Sequence, residues 1–368
     1  MTKPLKIKKT NQSIVDLGGR VASFSKPAYL DFKKYLGLED GLSENETVTF
    51  LNTICEIDER ILQLVGCPFR RIYLNTPSTF NLLINKDGSF HDEWGVRYVP
   101  RGPFNERVDP PLGDIASIEE MHKYHWPDPN NKNRVSGLNT RISELKKNPD
   151  LTPVAGHISA GIFQDCWNMR GMQQFFEDMA VNTSLAVALL EKITEIHIGL
   201  WHAFLDIVGD DVKIVETADD LGTQSGMLVS PAMYRKMIKP FHRQLNSAIR
   251  EKTNAKILFH SCGAIMPIIN DLIEIGVDIL NPIQPIPGLM DPEELAERYG
   301  ERLIFHGGLD VQDLLIHGTP EDVKTHVRRY IEVLGPDGYI LAPANSIQPG
   351  TPPENVLAAY QAAKEFIN

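Results

Sequence analysis

The chain has 368 residues, 42% of them hydrophobic and 23% charged, an ordinary composition for a soluble globular protein. A net charge of -11 argues against nucleic acid as a partner, because a phosphate-binding face needs a basic excess. No apolar run approaches the roughly 18 residues of a membrane span, and the basic start MTKPLKIKKTNQSIVDLGG lacks the apolar stretch of a secretory signal.

Cys55, Cys67, Cys166 and Cys262 form no CxxC pair, which points to a reducing, cytoplasmic setting without a disulfide framework. Residues 43–66 read as one helix. Residues 70–75, RRIYLN, read as a strand. NKDGSFHDEWGVRYVPRG (85–102) reads as a β-hairpin turning at Asp87-Gly88, and RGPFNERVDPPLGD as a linker. Residues 1–110 are expected to form a helical and hairpin extension packed on the remainder, 111–368. It would either cover the mouth or join two subunits into a homodimer.

From residue 152 onward strands and helices alternate. TPVAGHIS (152–159) is a strand, and 170–209 carries helical periodicity throughout. VKIVETADD (212–220) is a strand, followed by a helix over 230–252 with Ser230 as N-cap and Pro231 at its first position. Four more strands follow in AKILFHSC, VDILNPIQP, RLIFHGG and GYILAPANSIQ. The helices between and after them have Asp291 and Thr319 as N-caps and Gly276 as a C-terminal stop. Short apolar strands alternating with helices imply parallel pairing through right-handed crossovers. Six such strands, with 70–75 as a seventh, predict a (β/α)8 TIM barrel, for which about 250 residues suffice. An open doubly wound sheet is disfavoured because no GxGxxG follows a first strand.

Each predicted strand is apolar along its length and polar at its carboxyl end. The polar residues are His157, Glu216 with Asp219 and Asp220, His260 with Cys262, Asn281 with Gln284, His306, and Asn345. In a barrel these ends share one mouth. His260 and Cys262 are two apart on extended chain, so their side chains share a side, and imidazole and thiolate are both good zinc ligands. A buried cysteine beside a hydrogen-bonded histidine is the plainer alternative. Glu216 is the best third ligand by adjacency; His306 and the Asp219/Asp220 pair are others. Phe163, Trp167 and Met169 could line an aromatic pocket or belong to the core. Arg170 pairs with Asp178 or binds an anion, and Gly307-Gly308 allows either a tight turn or close approach of a ligand.

Five segments resemble the uroporphyrinogen decarboxylase-like superfamily: FHSCGAIMPIINDLIEIGVDILNPIQP, GGLDVQ, YILAPANSIQPGTPPENV, ETADDLGTQSGMLVSPAMYRKMIKPFHRQL and NKDGSFHDEWGVRY. The resemblance covers about residues 60–360, with the motifs in the family's order. It implies either decarboxylation of a porphyrinogen or methyl transfer involving a corrinoid protein. The arginine-rich amino-terminal motif of the decarboxylases is missing, with Arg20 alone in LGGRVAS, so the resemblance favours the methyltransferase branch. There zinc is commonly held by His-x-Cys, matching His260 and Cys262, and by a later cysteine whose position falls on Asn345.

A site with one sulfur suits an oxygen-bearing substrate over a thiolate. The implied activity is therefore transfer of a methyl group from a methoxylated, aromatic compound to the cobalt(I) corrinoid of a partner protein. The implied substrate contacts are His157, Phe163, Trp167, Asn281 and Gln284, with Asp219, Asp220, His306 and Asn345 near the chemistry. The chain has no DxHxxG corrinoid signature, so the corrinoid belongs to the partner. A decarboxylating lyase, a methylcorrinoid:thiol methyltransferase and a non-catalytic corrinoid- or partner-binding barrel are the alternatives.

Overall fold

A computed structural model describes residues 15–38, 41–43, 46–335 and 337–366; the expectation of no secretory signal concerns residues outside these. Seven parallel strands form one sheet in chain order. They are β1 Phe69–Ile72, β2 Thr152–Ala155, β3 Ile214–Ala218, β4 Lys256–His260, β5 Ile279–Ile283, β6 Ile304–Leu309 and β7 Tyr339–Pro343. Their residues are almost all buried, as parallel strands covered on both faces must be. The fold is a TIM barrel.

Its eighth position differs from the expectation. The free edge of β7 is taken by the amino-terminal segment. Val15 makes a parallel bridge to Leu341, and the Asp16 N–H donates to the Leu341 carbonyl at 2.8 Å. Phe24 bridges Ile347 in the same sense. Residues 15–17 thus stand between the last strand and the first, and β1 lies before residue 110. The first 110 residues thus supply the strand expected at 70–75 as well as this edge segment.

Four local expectations are corrected. Residues 43–66 are not one helix: Thr53–Ile54 is a short strand, and the helix is Glu59–Val65, capped by Asp58 and stopped by Gly66 in a left-handed conformation. Lys86–Gly88 does turn, but the chain reverses at Glu93–Gly95, between Phe90–His91 and Arg97–Arg101. The supposed linker supplies a third antiparallel strand, Phe104–Val108. The continuous helix expected over 170–209 is two, Met172–Val181 and Thr183–Val208, preceded by a separate helix, Ile162–Arg170. Gly171, at φ 88°, and Asn182 interrupt the hydrogen bonding while the apolar periodicity runs on.

Other signals hold. Ser230 Oγ accepts from Met233 N at 3.1 Å. The helix it opens takes a π turn over Tyr234–Ile238, next to Pro240, which has no N–H to donate. Thr319 and Asp322 form a capping box. Asp291 does not cap with its side chain, which accepts from Gly288 N instead. Among the described residues no helix is long and apolar enough to cross a membrane.

Candidate metal centre at the barrel mouth

The end of β4 is built by two loops pressed backbone to backbone. Gly263 has φ 81°, and a Cβ there would lie 2.4 Å from the Gly222 carbonyl carbon. A Cβ on Gly222 would in turn lie 2.7 Å from the Cys262 carbonyl oxygen. This approach carries Asp220 onto Cys262, whose N–H donates to Asp220 Oδ1 at 2.9 Å. Ser261 Oγ accepts from Leu221 N, and Gln284 Oε1 accepts from Gly263 N at 2.9 Å, so both loops are pinned.

The result is one group of potential ligands. His260 Nε2, Cys262 Sγ and an Asp220 carboxylate oxygen all lie within 4.8 Å of one another. Cys262 Sγ is 3.3 Å from His260 Nε2, which is 3.6 Å from Asp220 Oδ1. Asn345, where a further cysteine was expected, donates from Nδ2 to Cys262 Sγ at 3.3 Å. Burial first, then the Asp220 carboxylate, push the free Cys262 thiol well above its ordinary range, while Asn345 opposes them. Burial lowers His260 and keeps it neutral, the form a metal needs. A mixed oxygen, nitrogen and sulfur set of three residues matches a divalent zinc-type ion.

Glu216, expected as the third ligand, is elsewhere. It sits inside β3, fully buried, taking Arg71 Nε at 2.8 Å and His157 Nδ1 at 3.1 Å. Burial would raise its carboxyl, but Arg71 and His157 outweigh it and hold it down to about 2. Asp219 is also buried. It accepts from Phe163 N and Gln164 N at the start of Ile162–Arg170 and from His242 Nε2 at 2.8 Å, and so anchors a helix. His306 and Asn281 lie behind the mouth. Asn281 is 2.5 Å from His260 Nδ1 and 2.6 Å from His306 Nδ1, and His306 Nε2 is 2.9 Å from Asp16 Oδ2.

Of the other candidates, Phe163 and Met169 are core, and half-buried Trp167 packs on Phe163 and Phe176. Arg170 pairs with Asp178 at 2.7 Å and donates to three backbone carbonyls. Gly307 and Gly308 make room for Pro282, Tyr330 and Tyr339, not for a ligand. His157 Nε2 and Tyr73 Oη, just beyond the ends of β2 and β1, are among the buried polar atoms with no hydrogen-bond partner. Asp16 and Arg71 were missed. Two adjacent arginines in a four-residue strand, Phe69–Ile72, were the available signal.

A family model described as Uroporphyrinogen decarboxylase (URO-D) matches residues 104–366. The chain is 30% identical to a methylated-thiol–coenzyme M methyltransferase of Methanosarcina mazei over 45% of its own length and 44% of that protein. It is 23% identical to the methylcobamide:CoM methyltransferase MtbA of Methanosarcina acetivorans, over 68% of this chain and 70% of that one. It is 25% identical to a uroporphyrinogen decarboxylase of Gloeobacter violaceus, over 72% of each. A solved methyltransferase from Methanosarcina mazei superposes with TM-score 0.66 at 16% identity, covering 98% of this chain and 96% of that chain, a likeness of fold.

Proposed function

The chain belongs to the uroporphyrinogen decarboxylase (URO-D) family, and from that premise we propose that it is a metal-assisted, corrinoid-dependent methyltransferase. In this reading it moves a methyl group from a methoxylated, aromatic compound to the cobalt(I) corrinoid of a separate protein. The observation that carries the reading is the convergence of Asp220, His260 and Cys262.

Asp220, His260 and Cys262 would hold zinc, which when bound supplies Lewis acidity to the heteroatom bearing the methyl group. His260 offers the Nε2 lone pair because its Nδ1 side is taken by Asn281. Asn345 donates to the Cys262 sulfur and lowers its charge density. One sulfur and one carboxylate make a harder site than two sulfurs, which favours an ether oxygen over a thiolate. An aryl ether is the better donor because a phenolate leaves more readily than an alkoxide. His157 and Tyr73, with their unpartnered polar atoms, support the body of the substrate. The names of two relatives favour a second reading, methyl exchange with a thiol.

A screen of methyl donors with cobalt(I) corrinoid, followed by the absorbance change on methylation, separates these readings. Methylation from an aryl methyl ether is expected. Methylation from thioethers only selects the thiol reading. Carbon dioxide release from a porphyrinogen without any corrinoid selects the lyase.

A further inference from the structure

We propose that Asp16, on the segment that takes the barrel's eighth position, is a positioning residue that fixes which ring nitrogen of His260 faces the metal. The proposal rests on the reading of Asp220, His260 and Cys262 as a metal group.

Seven buried or nearly buried side chains form one chain of contacts around the barrel interior: His157, Glu216, Arg71, Asp16, His306, Asn281 and His260. They come from β1, the end of β2, and β3 to β6, with Asp16 supplied beside β7. The two ends meet where the His157 and His260 rings stand edge to face, centroids 6.2 Å apart. Polar groups at this depth must be satisfied in a consistent order.

Asp16 sets that order. Its carboxylate takes the Arg71 fork at Oδ1 and Oδ2, at 3.1 and 2.5 Å. Burial alone would raise its carboxyl, but Arg71 and His306 hold it well below the carboxylate range. An ionised carboxylate only accepts. His306 must therefore donate its Nε2–H to Asp16, leaving Nδ1 to accept from the Asn281 amide. The Asn281 oxygen is then turned to His260 and accepts its Nδ1–H. The hydrogen on His260 is thereby placed on Nδ1, and the Nε2 lone pair points toward Cys262 and Asp220. A ligand histidine whose far nitrogen donates to a fixed acceptor is the arrangement that favours metal binding.

Asp16→Asn can donate an amide N–H to His306 and so reverse every donor along the chain, moving the His260 hydrogen to Nε2. Zinc affinity of purified D16N is expected to fall about 10- to 100-fold. Nitrogen-15 NMR of the metal-free proteins should show His260 as the Nδ1–H form in wild type and the Nε2–H form in D16N. The double variant D16N/N281D restores a pure acceptor beside His260 and is expected to regain both the Nδ1–H form and most of the affinity. A purely structural role for Asp16 predicts no such rescue. Unchanged zinc affinity in D16N, or an Nε2–H His260 in wild type, overturns the proposal, and the wild-type spectrum decides even if D16N fails to fold. Neither measurement uses a methyl donor. A protein that passes both and transfers no methyl group contradicts the proposed function and leaves the role of Asp16 standing.

Discussion

In the proposed function, Asn345 is the residue on which substrate class turns. It faces Cys262 Sγ at 3.3 Å, so a side chain of similar length with a sulfur would meet the same ion. Asn345→Cys is expected to raise zinc affinity on the order of tenfold or more and to shift preference from ethers toward thiols and thioethers. Competitive zinc titration and the donor screen check the two parts. Glu216 makes a different prediction, about acid. Its carboxyl titrates at about 2 in the fold against 4.5 as an ordinary glutamate. A depressed carboxylate stabilises fully above its unfolded value, and that contribution is lost as pH falls through the folded one. Stability should therefore decline between about pH 4.5 and 2, and the decline should be shallower in Glu216→Gln, measured by denaturant unfolding across that range. At this scale the sequence was legible for His260 and Cys262, whose spacing alone put both on one side of a strand end. Adjacency ranked Glu216 above Asp220 as third ligand, and the structure groups Asp220 with His260 and Cys262 instead. Both carboxylates follow the same strand pattern, and only the fork of Arg71, 145 residues away in the chain, shows which one is occupied.

Between elements, the site depends on two glycine-bearing loops in backbone contact. Gly263→Ala places a Cβ 2.4 Å from Gly222 C and Thr223 N at a positive φ. Neither atom belongs to a flexible side chain, so the loops must part. A loss of about 2–4 kcal/mol is expected from combined backbone strain and overpacking, together with weaker zinc binding. Thermal unfolding and zinc titration of G263A check both. Gly276→Ala, with no atom within 4 Å of the added Cβ, bears only the strain of its φ of 89° and should leave zinc binding unchanged. The strand–helix alternation was readable because parallel strands and amphipathic helices have distinct periods. The break at Asn182 was not, since the helices on either side of it continue one apolar periodicity. The third strand at Phe104–Val108 was hidden by its polar, half-buried composition.

For the molecule as a whole, the amino-terminal segment does what an eighth strand would do. It covers the edge of β7, and its Asp16 joins Arg71 of β1 to His306 of β6. Arg71 stands between two buried carboxylates, so Arg71→Met leaves both without their cation. A cost of about 3–5 kcal/mol is expected, read by denaturant unfolding. This closure was invisible in the sequence because three residues near the start carry no strand period, whereas β2 to β7 are each mostly apolar. In the proposed function the barrel mouth holds zinc through one sulfur, one imidazole and one carboxylate. Zinc-edge X-ray absorption of the stoichiometrically loaded wild-type protein tests it most directly. The account predicts a single sulfur neighbour with the remaining ligands nitrogen or oxygen, lost in His260→Ala and Cys262→Ala. Two or more sulfur neighbours, or full zinc retention in both variants, would contradict it.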